Sequence, residues 1–326
     1  MMITVIFLIM LIASGKTFSE NLSVRTKIIM GTYITIKIPE SKEKLLENAF
    51  NIFKELDSKL SIYKENSEIS FLNKNKKAVL SKKTLNIIKR SIEICRETNG
   101  YFDITVGKVT SDLYRFGFDN ERIPDEKSLK KSVRRYPCTG IKFQGSRVVI
   151  DKDTKIDLGG IGKGYAVDLV YGFFKKNGIK RGVILASGDI RCVHRCTIYV
   201  KDPFGEGYIL RFKTRVKGAA VSTSGTYERF IKSSKFNHLI NPKTGKSQEN
   251  IVSATLIWNG NNTELDGYAT AVSVMPIEKA LKFLKTKDIG YIIILNSKEV
   301  FVSENIARFV EDLNFIRSDI NIVKKQ

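Results

Sequence analysis

The sequence predicts an α+β protein of largely antiparallel sheets flanked by helices. Two observations carry that prediction. Between Arg147 and Ser224 the runs "RVVID", "RGVILA", "TIYVKDP", "YILRFK" and "GAAVSTS" read as short strands, with one helical segment among them. Strands and helices therefore do not alternate as βαβ units, which argues against a doubly wound parallel sheet.

In chain order, "IIMGTYITIKI" (Ile28–Ile38) alternates and reads as one strand. Leu45, Leu46, Ala49, Phe50, Phe53 and Leu56 recur at the helical period, and "IYKENSEISFLN" after them reads as a loop. A second helix over Ser81–Thr98 starts at a serine cap and stops at Asn99-Gly100. The stretch after "GYFDITVGKVT", through residue 136, is rich in lysine and arginine and reads as a surface connection. Lys163–Lys176 is a third helix with Gly178 past its end. "IVSATLIW" is a strand, Asp266–Met275 and Ile277–Lys285 are helices, and "IGYIIILNS" with "EVFVS" forms a closing hairpin.

A chain of 326 residues with 42% hydrophobic and 27% charged residues has the means to bury a sizeable core. It is read as a signal segment over 1–20 followed by a single domain over 21–326, which admits two closely packed lobes. "MMITVIFLIMLIASG" holds about a dozen apolar residues, short for a span, and leads into Ala13, Ser14 and Gly15. That pattern predicts export, to the periplasm or the outer side of the inner membrane. An uncleaved anchor is the alternative and would associate the protein with the membrane. No cysteine precedes Cys95, so a lipid-attachment cysteine is not expected.

The 55 Lys+Arg against 34 Asp+Glu leave a net charge of +21. The basic residues are scattered in short runs such as Lys76-Lys77 and Lys175-Lys176, with no block interleaved with aromatics. They read as a solvated surface that attracts anions, and no nucleic-acid partner is expected.

Four cysteines in an exported chain have the means to form disulfides. Cys192 and Cys196 flank His194 in "RCVHRC"; on a strand all three would share one face. A bridge between those cysteines is then not expected, with Cα atoms about 13 Å apart, and a metal there would lack a fourth ligand.

Three stretches carry candidate chemistry. "IDLGGIGKGYAVD" (Ile156–Asp168) resembles a phosphate loop but is neither standard type. Gly164 follows Gly162-Lys163 where a Walker loop needs Ser or Thr, and no third glycine completes a dinucleotide fingerprint. Its amides would converge on an anion at a helix N-terminus, with Lys163 adding charge; the alternative is a tight turn packed for its own sake. In "ELDGYATAVSV", Asp266 and Thr270 stand i, i+4, an oxygen pair suited to Mg2+, unless Asp266 merely caps the helix. In "VSTSGTYERFIKSSKFNHLINPKTGKS" a hydroxyl-rich turn of Ser222, Thr223, Ser224 and Thr226 precedes His238. With two histidines in the chain, a histidine base must be His194 or His238.

Together, and in this order, "MGTYITI", "SIYKENSEISFLN", "GYFDITVGKV", "DLGGIGKGYAVD", "ASGDI", "KDP", "STSGTYERF…NHLINPKTG" and "LDGYATAVSVM" make the chain similar to the ApbE family of FAD:protein FMN transferases. The resemblance spans about residues 28–295 and implies a T-fold-like α+β architecture. It further implies FAD as substrate, Mg2+ as cofactor and an acceptor flavoprotein as partner. FMN would pass to a threonine or serine hydroxyl of that acceptor and AMP would leave. Hydrolysis of FAD to FMN and AMP, or FAD binding without turnover, are the alternatives. By position, Asp266, Thr270 and the carbonyl of Gly162 match the metal ligands, and His238, Asp266 and Lys163 the catalytic groups. Met30, Tyr63, Glu68, Phe102, Asp103, Lys163, Asp168, Ser224 and Thr226 fall on positions that line the FAD site. The chain departs from the pattern at Gly162 (usually alanine, implying a looser loop), Asn241 (usually aspartate, implying a less basic His238) and Asn237 (often histidine).

Overall fold

The computed structural model describes residues 21–133 and 137–323, so the expected signal segment over 1–20, residues 134–136 and residues 324–326 lie outside the described residues. The first half contains β1 (Leu22–Ile29), β2 (Thr32–Pro39), α1 (Leu46–Leu60), α2 (Glu68–Asn75), β3 (Lys77–Val79), α3 (Lys82–Glu97), α4 (Glu126–Ser132), β4 (Ile141–Gln144) and β5 (Arg147–Ile150). Next come α5 (Gly162–Lys176), β6 (Val183–Ala186), β7 (Asp189–Cys192), β8 (Thr197–Lys201), β9 (Tyr208–Thr214), β10 (Ala219–Gly225) and β11 (Ile251–Trp258). The chain closes with α6 (Asn262–Ser273), α7 (Ile277–Lys287), β12 (Gly290–Leu295), β13 (Glu299–Val302), β14 (Val310–Phe315) and β15 (Asn321–Val323).

A nine-stranded sheet, ordered β1-β2-β6-β7-β10-β11-β12-β13-β15, forms the frame. All its neighbours pair antiparallel except β13 and β15, as the sequence predicts for the class. One face buries Ile34, Ile36, Ile184, Ala254 and Leu256 in a core shared with α1, α5 and α6. The other face, through Ile190, Val221, Ile257 and Ile292, packs on Ile198 and Phe212 of a small sheet ordered β14-β9-β8. The helices follow from periodicity: Leu46, Ala49, Phe50, Phe53, Leu56 and Leu60 of α1 are all buried. A third sheet, β3-β5-β4, packs beside α2.

Four expectations need correction. The alternating run Ile28–Ile38 is a hairpin, because Met30 (φ 55°) and Gly31 (φ 70°) form a two-residue turn of the hand that antiparallel strands accept. The expected loop at Ile62–Asn73 contains α2, started by Ser67, whose hydroxyl accepts from Ser70 N at 2.9 Å. The basic connection holds a π-helical turn, Lys108–Tyr114, and α4, capped by Asp125. Cys192 and Cys196 are bridged: β7 ends at Cys192 and the chain turns back through 193–195, leaving the two Cα atoms 5.8 Å apart. The strand period assumed across "RCVHRC" fails there, and with both sulfurs in a disulfide neither is a thiolate metal ligand.

A second disulfide, Cys95–Cys138, fastens the end of α3 to the segment before β4. Among the described residues no helix is long and apolar enough to cross a membrane.

Candidate functional site

The glycine stretch is held from both sides before α5 begins. Asn73 of α2 brackets Ile156, accepting from its N–H at 2.7 Å and donating to its carbonyl at 2.8 Å. Asp157 takes the hydroxyl of Thr110 at 2.6 Å and the N–H of Gly159 at 2.9 Å. The N–H groups of Ile161 and Gly162 both reach Leu158 O, at 3.2 and 2.9 Å, and Gly164 N donates to Asp266 Oδ2 at 3.0 Å. Five amides of the stretch are thus spent inside the protein, which leaves fewer to converge on an anion than the sequence leads one to expect. The turn brings α5 against α6, and Gly159, Gly160 and Gly162 also line the cavity.

That approach is close. A side chain on Gly164 would begin 2.3 Å from Asn262 O and 2.7 Å from Asp266 Cβ. Asp266 is not a cap: α6 starts four residues earlier, at Asn262, and Asn261 caps it by accepting from Glu264 N at 2.8 Å. Asp266 and Thr270 lie on the α6 stripe that faces the glycine turn. Thr270 Oγ1 donates to Gly160 O at 3.1 Å, so the carbonyl beside this hydroxyl is that of Gly160. Gly162, the position matched to the ligand carbonyl, lines the same cavity and opens α5.

The cavity encloses about 630 Å³. Of the residues singled out in the sequence it brings together Met30, Tyr63, Phe102, Asp103, Gly162, Lys163, Ser224, His238, Asp266 and Thr270. It does not include Glu68, Asp168 or Thr226. Glu68 pairs with Lys59 at 2.9 Å and accepts from Ser81 N at 2.9 Å, tying α2 to its neighbours. Thr226 is buried with its N–H on Val252 O. Asp168 points at the first turn of α6. His194 is also outside, its Nδ1 accepting from Gly182 N at 3.2 Å.

The electrostatics centre on three charges. Asp266 and Asp189 are 3% and 2% exposed, and Lys163 Nζ lies 3.5 Å from Asp189 Oδ2. Asp189 Oδ1 accepts from Ser222 Oγ at 2.7 Å, leaving Oδ2 to the lysine. Burial pushes the Asp189 carboxyl up to about 7, with the charge of Asp266 adding to it and Lys163 opposing. Burial likewise raises Asp266. For Lys163, burial opposes the charge, but Asp266 and Asp189 outweigh it and hold the ammonium protonated. Two buried carboxylates facing one ammonium make a site that gains from a further cation.

The donors on offer to such a cation are hard oxygens: the Asp266 carboxylate, the Thr270 hydroxyl and main-chain carbonyls of the glycine turn. Among the described residues no three His, Cys, Asp or Glu side chains converge on a metal position. A lean oxygen set of this kind, completed by phosphate and water, fits Mg2+ and does not suit zinc.

Across the cavity, His238 Nδ1 lies 3.1 Å from Arg229 O. A carbonyl only accepts, so Nδ1 carries the proton and Nε2 keeps its lone pair. Burial pushes the imidazole down to about 4, with positive Arg229 and Lys163 contributing and the hydrogen bond opposing. Asn241 does not touch it: its Nδ2 donates to Val274 O at 3.2 Å and its Oδ1 accepts from Lys243 N at 2.9 Å. His238 is less basic than usual, and burial, with no hydrogen bond to Asn241, is the largest cause. Buried Asn237 holds this segment through Ser234 O (2.7 Å), Gln248 O (2.6 Å) and Leu239 N (3.0 Å).

Sequence reasoning did not single out Asp189 and Arg229 as individual residues, although "ASGDI" and "STSGTYERF" contain them. Arg229 Nη1 donates to Tyr63 Oη at 3.0 Å, and that hydroxyl donates to Phe116 O at 2.8 Å. This fixes an aromatic ring, 46% exposed, on the cavity wall.

A cleft of this volume, with a buried lysine–carboxylate corner, an aromatic wall and a neutral histidine, on an antiparallel α+β frame, has the form of a small-molecule binding site. A family model described as "ApbE family" matches residues 30–293, and the chain belongs to that family. Among its curated relatives is an FAD:protein FMN transferase of Buchnera aphidicola, 29% identical over 294 residues, covering 83% of this chain and 85% of that one. Another, from Klebsiella pneumoniae, is 22% identical over 292 residues, covering 85% and 90%. The crystal structure of an ApbE protein from Thermotoga maritima superposes with a TM-score of 0.82 at 25% identity, covering 90% of this chain and 100% of that one. The flavin transferase ApbE of Vibrio cholerae shares the fold, with a TM-score of 0.77 at 22% identity and coverage of 89% and 99%.

Two predictions follow from this geometry. Gly164→Ala forces α5 and α6 apart and should cost roughly 2 kcal/mol or more in denaturant unfolding. Gly162→Ala places its methyl 3.5 Å from the Met30 methyl, an ordinary contact, and should be neutral or stabilising by about 0.5 kcal/mol. Equal losses in the two would contradict the close approach.

The second concerns pH. The unfolded chain protonates His238 near 6.5, whereas the folded one does so near 4. Lowering the pH from 6.5 towards 4 therefore adds protons to the unfolded state first and removes stability. Imidazole NMR shifts of His238 should stay those of the neutral ring at pH 5.5; a midpoint near 6.5 would refute the assignment.

Proposed function

We propose that this chain transfers FMN from FAD to a serine or threonine hydroxyl of an acceptor protein and releases AMP, in a Mg2+-dependent reaction. The observation that carries the proposal is the pairing, in one cavity, of the Lys163–Asp266–Thr270 corner with a neutral His238 whose free nitrogen is Nε2. The chain's similarity to FAD:protein FMN transferases supports flavin transfer as the reaction.

The substrate carries two phosphates, so positioning and charge neutralisation dominate the chemistry. Lys163 lines the cavity and would neutralise the pyrophosphate, its ammonium held by Asp189, which Ser222 fixes in turn. Asp266 and Thr270 would hold Mg2+, whose chemistry is to withdraw charge from the phosphate oxygens. Tyr63 and Phe102 offer ring faces to the flavin or the adenine. His238 Nε2 accepts the proton of the acceptor hydroxyl as that oxygen bonds to the flavin-side phosphorus. The bond from that phosphorus to the bridging oxygen breaks, and AMP departs with the bridging oxygen. The low proton affinity of His238 keeps the base available across the neutral range at the expense of driving force.

We further propose that 21–326 acts as one catalytic domain outside the cytosol. Two disulfides, Cys95–Cys138 and Cys192–Cys196, support an oxidising compartment, and the apolar segment at 1–20 supports export, with membrane association if it is retained.

Incubation with FAD, Mg2+ and a candidate acceptor should add the mass of FMN less water to the acceptor and yield AMP. Asp266→Ala should abolish both products while sparing most FAD binding, and His238→Gln should lower transfer by about 100-fold or more. Intact acceptor and intact FAD with the wild-type protein would refute the proposal. AMP and free FMN without acceptor mass would favour hydrolysis instead.

A further inference from the structure

Asp168 matches a family position expected at the flavin site, yet it lies outside the cavity and makes a different set of contacts. From α5 it reaches the start of α6. Oδ1 accepts from Asn262 N at 2.9 Å, and Oδ2 accepts from Thr263 N at 2.8 Å and from Thr263 Oγ1 at 2.5 Å. With Asn261 on Glu264 N, the first three amides of α6 are all satisfied by side chains, two of them by a carboxylate from another helix. A negative charge at this end also matches the helix dipole.

The carboxylate is itself held. Arg191 Nη2 lies 3.3 Å from Asp168 Oδ1, and Nη1 donates to Gly218 O at 2.9 Å and Gly260 O at 2.6 Å. The guanidinium stacks 4.3 Å from the centre of the Tyr171 ring and is buried. Asn262 is pinned in turn: its Nδ2 donates to Ile190 O at 3.0 Å and to Val221 O at 3.3 Å. The N-terminus of α6 is therefore fastened to α5, β7 and β10 at once.

What the fastening controls is legible in the spacing. Asn262, Asp266 and Thr270 stand four apart, so they form one stripe along α6. Asn262 meets the sheet, Asp266 meets Gly164 N and Thr270 meets Gly160 O. Releasing the first contact lets the helix turn or slide, and the oxygens of the other two move relative to the glycine turn.

We infer that Asp168, backed by Arg191, is a positioning residue that sets α6 against α5 and so the spacing of the Asp266 and Thr270 oxygens from the glycine turn. This rests on the reading of those oxygens as divalent-cation ligands. Asp168→Asn removes one of the two acceptor oxygens and the charge facing Arg191 while keeping the volume. Thr263→Val is the milder second variant, removing one of the contacts from the other side.

The test is Mn2+ binding to the purified full chain with bound FAD, followed by electron paramagnetic resonance, alongside FAD affinity without metal from flavin fluorescence. Asp168→Asn should raise the Mn2+ midpoint at least 10-fold, Thr263→Val about 3-fold, with FAD affinity changed less than 2-fold. Raised Mg2+ should recover turnover in both variants, which a general loss of folded protein would not allow. An unchanged Mn2+ midpoint in folded Asp168→Asn would overturn the positioning role alone. If Asp168→Asn does not fold, an unchanged midpoint in Thr263→Val overturns it equally. Failure of the wild-type protein to bind Mn2+ would overturn the cation-site reading and this inference with it.

Discussion

The closeness of α5 to α6 is the constraint on which the site depends. No Cβ fits at Gly164, because Asn262 O and Asp266 Cβ already occupy that space. The two helices meet there with a backbone N–H against a buried carboxylate. A buried amide and a buried carboxylate are each costly alone, and paired they satisfy one another. The same contact brings Lys163, one residue earlier on α5, to the side of Asp266 and Asp189. The charge and the metal-suited oxygens of the cavity are thus consequences of one helix–helix distance.

The sheet makes that distance reproducible. β7 and β10 are neighbours, and they deliver Asp189, Arg191 and Ser222 to the underside of α5 and α6. His238 arrives by a different route, on the segment between β10 and β11, where main-chain contacts and Asn237 define its place. His238 and the charged corner therefore sit on separate supports. A change in one is free to leave the other intact, which is why transfer and metal binding are separable observables.

Much of this was legible in the sequence, and the failures have physical causes. α1 and α3 carry apolar residues at a helical period long enough to register, and both form where expected. α2 buries only Ile69 and Leu72, so its periodic signal is too short, and its cap and the Glu68 contacts decide it instead. The β1–β2 turn was hidden because Met30 takes a left-handed conformation that its residue type does not advertise. The bridge between Cys192 and Cys196 was missed because a strand period was extended past the end of β7. At the site, the i, i+4 relation of Asp266 and Thr270 could be read directly from spacing. Asp189 and Arg229 could not be assigned roles, since theirs arise from strands and loops that meet only after folding. Asp168 shows the converse: a matched motif position identifies a residue that matters without saying what it touches.

The central claim is that the α5–α6 junction is the pyrophosphate end of a flavin nucleotide site. A crystal structure of the full chain with FAD and Mg2+, without acceptor, tests it most directly. The account predicts the pyrophosphate within hydrogen-bond reach of Lys163 Nζ, the cation between it and Thr270 Oγ1, and the flavin-side phosphate facing His238 Nε2. FAD bound with its pyrophosphate away from Lys163, or with His238 on the far side of the ligand from both phosphates, would contradict it.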